Sequence, residues 1–447
     1  MMKRNWRAGG VLVLFALLAV LLLLKGGFGR IEIVAASRLA RNKPSGQPQL
    51  ISVQALPSAE GEACEWMPAS ANASESIALE QEAPSNSNAT RTLGDARTAV
   101  ETDPAPIRVI RDTYSTYSAV AVDPVRNEIV LQDENLFQIM VYDRSANTPQ
   151  NATMTEPKRV IGGHNTKLEF NCALYIDPQN GDIYSVNNDT MDNTVIFSHD
   201  ARGNATPTRE LFTPHGSYGI AVDEQKQELF ITVEHTNAVV VYPKMAQGDE
   251  KPLRIIQGEH TGLEDPHGVA VDSRNQLLYV SNHGNARNPG GAGGAFRPPS
   301  ITVYPLNGSG DAAPLRVIKG DATKLDWPAQ IYLDAEKQEL FVANDADDSV
   351  LVFRAASNGD AAPARMLKGP KTGIKNPTGL FVDTKNNELV VSNMGNHSAT
   401  IYPRSANGDI APVRTIRNAP KGKLALAIGN PGAAGYDSKR DEILVPN

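Results

Sequence analysis

Two short markers recur along the C-terminal three quarters of the chain. The first reads proline, any residue, arginine, any residue, then isoleucine or leucine, and the second is an apolar run that ends in aspartate, as in GIAVD. The first begins at Pro106, Pro157, Pro207, Pro252, Pro314, Pro363 and Pro412, and the second ends at Asp123, Asp177, Asp223, Asp272, Asp334, Asp383 and Asp437. A sevenfold repeat predicts an array of one structural unit rather than a domain with an irregular core.

Short runs between and after these markers are typical of β-strands. Examples are ELFVAN and LLYVSN, which follow the aspartates, and SVLVFR and ITVYPL, which come next. They are rich in β-branched and aromatic residues and are bounded by turn residues. The unit is therefore predicted to have four strands: A (GVAVD), B (ELFVAN), C (SVLVFR) and D (the proline–arginine marker). The largest length excess, between Asn282 and Ile301, interrupts no strand.

Four-stranded sheets repeated about an axis form a β-propeller, in which neighbouring sheets protect each other's faces. The sequence predicts an all-β, seven-bladed propeller over residues 105–447. The first D marker precedes the first A strand, and the last repeat ends after its B strand. We therefore expect blade seven to combine strands A and B at 434–437 and 442–445 with strand D at 107–110. Its strand C is either 96–101 or absent.

Runs such as PHGVAVDSRNQLLYVSN and PTGLFVDTKNNELVVSN resemble the repeats of the NHL and YVTN-like propeller families. The resemblance covers residues 106–447. It implies the fold and says little about activity, because these families include scaffolds, ligand-binding modules and a few enzymes.

The N-terminal segment, residues 1–30, has the pattern of a signal-anchor or transmembrane helix. Residues 9–24 are uncharged and nearly all apolar, and Lys3, Arg4 and Arg7 precede them. Sixteen helical residues span about 24 Å, slightly less than the roughly 30 Å of a hydrocarbon core. An uncleaved anchor that exports the body of the protein is our interpretation, and a cleaved signal peptide is the alternative.

Residues 31–104 are rich in Ser, Ala and Pro and poor in aromatics, which predicts a disordered linker. The combination predicts a membrane-anchored protein whose propeller is periplasmic or extracellular. The net charge is −7, and residues 1–43 hold eight Lys and Arg against one acidic residue, which leaves −14 on the remainder. An acidic body argues against a nucleic acid as partner.

The markers themselves are expected to be scaffold, because a residue that occurs once in every blade is explained by blade packing. We expect the marker Arg and Asp residues to form inter-blade ion pairs, and loops such as Asn358-Gly359-Asp360 to make the turn from C to D. Function is therefore expected where the repeat is broken. No GxSxG, HExxH or Walker motif occurs in the sequence.

One face of the predicted ring carries most of the departures. We call it the mouth face; it consists of the B-to-C loops and the D-to-A connections. Seven of the eight histidines map to it, namely His164, His215, His235, His260, His267, His283 and His397. The long insertion of blade four also maps there. This pattern favours a binding or protein-interaction module that takes a protein or a small molecule at blades three and four, with His235, His260, Phe296 and Arg297 as contact residues.

A metal-dependent lyase or hydrolase is the alternative. PHG before a strand A resembles a motif of NHL-type lyases, in which histidines at the channel mouth bind catalytic zinc. The resemblance implies a site from His215, His267 and a third histidine, which must be His235, His260 or His283, with His283 as our choice. Calcium is a further candidate cation because residues 344–348 read NDADD, although an EF-hand pattern is missing. No catalytic residue is assigned, and the tether favours binding over turnover.

Overall fold

The computed structural model describes residues 112–426 apart from 189 and 285–296, together with strands at 435–437 and 442–444. The chain divides into two compact units, one of Glu62–Ala427 and one of Met1–Gly61 with Ile428–Asn447. The predicted anchor and linker, residues 1–30 and 31–104, lie outside the described residues. Within the part that is described, no helix has the length and apolar character needed to cross a bilayer.

The described part of the larger unit is an all-β propeller of six antiparallel four-stranded sheets. Their strands run in chain order, A to D, from the inside of each blade to its outer edge. Blade one has β1 (Tyr117–Asp123), β2 (Glu128–Asp133), β3 (Gln138–Asp143) and β4 (Arg159–Gly162); blade two has β5 (Asn171–Ile176), β6 (Ile183–Asn187), β7 (Asn193–Phe197) and β8 (Arg209–Phe212); blade three has β9 (Ser217–Asp223), β10 (Glu228–Val233), β11 (Ala238–Pro243) and β12 (Arg254–Ile256).

The second half of the ring repeats this arrangement. Blade four has β13 (Pro266–Asp272), β14 (Leu277–Asn282), β15 (Ser300–Pro305) and β16 (Arg316–Ile318); blade five has β17 (Pro328–Asp334), β18 (Glu339–Asn344), β19 (Ser349–Arg354) and β20 (Arg365–Lys368); blade six has β21 (Pro377–Asp383), β22 (Glu388–Asn393), β23 (Ser398–Pro403) and β24 (Arg414–Arg417). Single 3-10 turns occur at His164–Thr166, Asp321–Thr323, Asp345–Asp347 and Met394–Asn396. The core lies between neighbouring sheets, as where Phe230 and Val241 of blade three pack with Leu278 and Tyr304 of blade four.

The marker residues stabilise individual blades. Asp123 accepts hydrogen bonds from the main-chain N–H groups of Val125 and Arg126, both at 2.9 Å, and so caps the A-to-B turn. Arg159 donates to both carboxylate oxygens of Glu128 in its own blade, at 2.8 and 2.9 Å. The expectation of inter-blade ion pairs is wrong for the marker arginines that form ion pairs, because these bond glutamates of their own blade. Two marker aspartates do pair between blades, with Lys244 and Arg404, which lie outside the markers, in Lys244–Asp177 and Arg404–Asp334.

A main-chain hydrogen bond, which we call the latch, joins each blade to the next. The C-to-D loop of one blade donates it to strand D of the preceding blade, as where Gly203 N–H bonds to Val160 O at 2.6 Å. Equivalent bonds run from Gly248, Gly310, Gly359 and Gly408 to Glu210, Ile255, Val317 and Met366, and from Thr148 to Thr415 at 2.7 Å. The last bond joins blade six to blade one. The Asn-Gly-Asp loops therefore connect blades as well as turning the chain.

The blade count predicted from the sequence is wrong, because the ring closes with six blades. Strand β21 packs directly on β1, and Thr378 Oγ1 donates to Ser118 O at 2.7 Å across that junction. The seventh marker pair forms β25 (Gly435–Asp437) and β26 (Glu442–Leu444), which pair as a two-stranded sheet. Residues 107–110, the expected seventh strand D, lie outside the described residues. The number of marker pairs predicts the number of A–B hairpins. The number of blades in the ring is decided instead by the contact between the first and the last inner strand.

Candidate functional site

The repeat is least regular at two positions on the mouth face. The second residue of strand A differs in every blade, and from blade one to blade six it is Ser118, Cys172, Tyr218, His267, Ala329 and Thr378. The residue after strand B also varies, and in the same order it is Glu134, Asn188, Glu234, His283, Asp345 and Met394. Every inner strand has a register shift at this end, for example between Pro266 and Val269. Such a bulge re-aims the side chains beside it, and bulges are common next to functional sites.

Four aromatic rings from blades three, four and five stack side by side at this face. Tyr218 and His267 have ring centroids 4.1 Å apart. His267 and His283 lie 3.3 Å apart with an interplanar angle of 17°. His283 and Trp327 lie 5.6 Å apart, also at 17°. We call this arrangement the ring stack; it holds the two imidazoles of blade four in fixed planes.

Two carboxylates flank the ring stack. Glu234 Oε1 lies 3.2 Å from His267 Nε2. Asp265 places its carbonyl oxygen 3.1 Å and its Oδ1 3.6 Å from His267 Nδ1, and its Oδ2 3.8 Å from His283 Nδ1. Glu234, Asp265, His267 and His283 together are called the mouth cluster.

The imidazole of His267 faces more acceptors than it can satisfy. Burial lowers the pKa of His267 to about 3, so the ring is neutral at physiological pH and carries one N–H. Both of its nitrogens nevertheless face oxygen acceptors, one from Glu234 and one from Asp265. In either tautomer one nitrogen lone pair points at an oxygen. A cation on that nitrogen, a second proton on the ring, or a proton on the carboxyl of Glu234 relieves the conflict.

The mouth cluster has the donor set of a transition-metal site. Asp265, His267 and His283 each offer a ligand atom, and these atoms all lie within 4.8 Å of one another. Burial also lowers the pKa of His283, and neutral imidazole is the form that binds metal. Burial and the charge of Glu264 raise the pKa of Asp265 to about 6. Two nitrogens and a carboxylate suit Zn²⁺. In a tetrahedral zinc site with Zn–N distances of roughly 2.0–2.1 Å, the ligand atoms lie about 3.3 Å apart.

A calcium site at residues 344–348 finds no support in the contacts. Asp347 is paired with Lys368, and Asp348 with Lys375. Asp345 is buried and accepts a hydrogen bond from the amide of Asn376. These carboxylates are engaged with protein groups, whereas Ca²⁺ takes six to eight oxygen ligands.

His215 and His235 form a second pair, beside the mouth cluster. Their ring centroids lie 4.9 Å apart, and His215 Nδ1 lies 3.0 Å from Asp192 Oδ1. His235 Nε2 is 3.9 Å from Glu234 Oε2, so Glu234 stands between the two pairs. Among the described residues, the possible metal ligands that lie together are Asp265, His267 and His283, and His215 is not one of them. His215 precedes its marker aspartate by eight residues and His267 by five, and Tyr218 is the blade-three equivalent of His267.

The remaining predicted contact residues are His260, Arg297 and Phe296. His260 is exposed and its Nδ1 bonds to Asp311 Oδ2 at 2.6 Å. Arg297 is exposed and bonds to Glu264 Oε2 at 2.8 Å. Phe296 lies outside the described residues. The structure thus brings His267 and His283 together and leaves His260 and Arg297 in separate local contacts.

Sequence reasoning missed Glu234, Asp265, Tyr218 and Trp327. One signal was available: a position just before strand A has a positive φ in five blades, at Phe170, Gly216, Asp265, Trp327 and Asn376. Glycine and asparagine are the usual residues for that backbone conformation. Phe170, Asp265 and Trp327 are the bulky or charged residues at this position, and they depart from that preference.

A cleft of about 580 Å³ adjoins the mouth cluster on the blade-five side. His283 and Trp327 form one end of it, Pro298 and Pro299 one wall, and Lys324 and Met366 line the remainder. Its volume is within the roughly 300–1,000 Å³ of small-molecule sites.

No protein-family model matches the sequence. No curated protein matches it either. The resemblance to NHL and YVTN-like repeats therefore stays a prediction.

Proposed function

We propose that this protein is a membrane-tethered, extracytoplasmic propeller that acts as a binding module through the mouth face of blades three and four. The observation that carries the proposal is the mouth cluster, in which two imidazoles and two carboxylates from neighbouring blades meet beside a cleft. A β-propeller fold is consistent with a binding role, because its loops display variable residues on a rigid scaffold.

The electrostatics of the mouth face support a site rather than a scaffold. Burial and the charges of Asp133 and Asp345 raise the pKa of Glu134 to about 8. Burial also raises the pKa of Asp345 to about 6. Crowded acids disfavour the folded state when they are charged, and such groups cluster at functional sites.

The membrane part of the proposal depends on the sequence of residues 1–30 and 31–104. A basic flank, an apolar run and a polar linker are the features expected of an exported, tethered domain. Carbonate extraction of membranes should leave the full chain in the pellet. A membrane-impermeant amine reagent, added to intact cells or, where an outer membrane is present, to spheroplasts, should label lysines of 112–426. Labelling only after the inner membrane is lysed would contradict export.

The binding role is tested by affinity capture with the full chain in detergent. His267→Gln with His283→Gln should abolish recovery of the bound molecule, identified by mass spectrometry, because these rings form the centre of the mouth cluster. His164→Gln is the matched control, since His164 is an exposed histidine of the same face in a 3-10 turn. Equal recovery by the double variant and the control would refute a site at blades three and four.

Metal-dependent catalysis is a second candidate, and the donor set of Asp265, His267 and His283, with ligand atoms within 4.8 Å of one another, is the observation behind it. These residues would hold the ion, which would supply Lewis-acid activation of a carbonyl or of water. Glu234, 3.2 Å from His267, would orient that ring. Elemental analysis and zinc titration of the full chain test the candidate: stoichiometric zinc that disappears in Asp265→Asn supports it, and failure to bind added zinc excludes it.

A further inference from the structure

Trp327 is the one tryptophan among the described residues, since Trp6 and Trp66 lie outside them. Its φ is +51°, and 40% of its surface is exposed. A left-handed conformation is disfavoured for a bulky side chain. The equivalent positions of blades three and six hold Gly216 and Asn376, which adopt it readily, and those of blades two and four hold Phe170 and Asp265. The fold therefore does not require tryptophan here, and its presence indicates a use for the indole.

The indole is held as a flat platform. His283 stacks near one face of it, at 5.6 Å and 17°, so the ring plane is fixed by the ring stack. The exposed part of the indole lines the cleft, together with Pro298, Pro299 and Met366. A ligand in the cleft thus meets a rigid apolar surface that needs little ordering on binding.

The polar lining of the cleft is balanced in charge. Three lysines and three aspartates line the cleft, namely Lys319, Lys324, Lys368, Asp321, Asp326 and Asp347. Lys368 is paired with Asp347. Ammonium groups donate hydrogen bonds and carboxylates accept them, so both kinds of partner border the indole. An aromatic anion would gain from the lysines but be repelled by the aspartates. A neutral ligand whose hydroxyls donate and accept, and which has an apolar face of C–H groups, fits both the platform and its border.

We propose that the cleft binds a neutral saccharide, with a sugar ring lying on the indole of Trp327. The cleft, at about 580 Å³, accommodates an oligosaccharide segment rather than a single ring. This inference rests on the proposed binding function and names its ligand class. Lys324 and Asp321, which line the cleft with the indole, are candidates to bond the ring hydroxyls.

The test uses the full chain in detergent with Trp6→Phe and Trp66→Phe, so that Trp327 is the only tryptophan. Its emission is titrated with neutral glucan, mannan, galactan and chitin oligosaccharides, and with benzoate as a planar aromatic anion. We expect a saturable change with at least one saccharide and none with benzoate. Calorimetry in the wild-type background should show at least tenfold weaker binding for Trp327→Ala and partial retention for Trp327→Phe. Leu315→Ala is the control and should bind normally, because Leu315 is an exposed apolar residue directly before strand β16 and does not line the cleft.

Three outcomes overturn the inference: no saturable response to any of these saccharides, tighter binding of benzoate, or equal affinity for Trp327→Ala and wild type. The proposed function is judged separately by affinity capture. A molecule that is captured through His267 and His283 while all saccharides fail would leave the binding module intact and exclude the saccharide.

Discussion

The closure of the ring by six blades can be tested with one ion pair. Arg144, on the C-to-D loop of blade one, donates to Glu388 Oε2 of blade six at 2.8 Å. Arg404 occupies the same repeat position in blade six and donates to Glu339 Oε2 of blade five at 2.6 Å. The two pairs are equivalent contacts at successive junctions, so both should be energetically coupled.

The expected size follows from exposure and bonding. The side chains of Arg144 and Glu388 are 20% and 16% exposed. Exposed ion pairs are worth about 0.2–1 kcal/mol, and close pairs at interfaces couple by about 1.5–7 kcal/mol. We expect about 1 kcal/mol for Arg144–Glu388. Arg404 is 5% exposed and also bonds Asp334, so about 2 kcal/mol is expected for Arg404–Glu339.

Urea unfolding of Arg144→Met, Glu388→Gln and the double variant gives the coupling free energy as a double-mutant cycle. The same cycle with Arg404→Met and Glu339→Gln is the internal standard. Coupling at both junctions supports direct contact between blades six and one. Coupling at Arg404–Glu339 with none at Arg144–Glu388 would show that another element separates these blades, and the six-bladed ring would be wrong.

The other predictions concern pH, backbone conformation and the mouth cluster. Burial opposes charge on Glu128, but hydrogen bonds from Arg159, Lys158 and His199 lower its pKa from 4.5 to about 2. The ionised carboxylate therefore stabilises the fold by at most about 3 kcal/mol above pH 4.5, and this stabilisation is lost towards pH 2. Glu128→Gln should remove this pH dependence of the unfolding free energy in urea. Glu134 has the opposite sign: its raised pKa means that stability falls between pH 4.5 and 8, and Glu134→Gln should stabilise at pH 8 by about 1–3 kcal/mol, with little effect at pH 4. Gly359→Ala should cost about 1–2 kcal/mol for its φ of +67° alone, whereas Gly369→Ala should cost more, because its Cβ would overlap the side chain of Asp409; equal thermal shifts would refute this. Zinc binding, if calorimetry finds it, should weaken as pH falls below 6, where Asp265 takes up a proton, and His199→Gln, on the opposite face, should not alter it.

Local patterns were sufficient to predict the strands. GVAVD, ELFVAN and SVLVFR lie within β-strands of the expected order, because period, β-branching and turn residues act over a few positions. The number of blades was not predictable in this way. It depends on Ser118 and Thr378 meeting across the ring, a contact between residues 260 positions apart.

The site was predictable to the extent that it depends on repeat position. His267 and His283 depart from the residues of other blades at positions on the mouth face, and they lie together. His215 was grouped with them because it also precedes an inner strand, but a difference of three residues in spacing places it beside His235 instead. Asp265 and Glu234 were missed, because their approach to His267 follows from the contact between neighbouring blades.

The latch between blades six and one has a consequence for how the chain folds. Thr415 and Asn147, which bond there, are 268 residues apart, whereas the equivalent Val317 and Asn358 are 41 apart. Closing the longer loop costs about 1.7 kcal/mol more in chain entropy. Pro157 follows Tyr142 by 15 residues in blade one, whereas Pro412 follows Tyr402 by 10 in blade six. The five extra residues of blade one lie at this junction, where Arg417 donates to the carbonyls of Pro149 and Ala152. Blades can therefore dock onto their neighbours in chain order, and the junction between blades six and one closes last. The chain entropy lost on closing it also makes it the first junction to open, and the hydrogen bonds from Arg417 offset part of that cost.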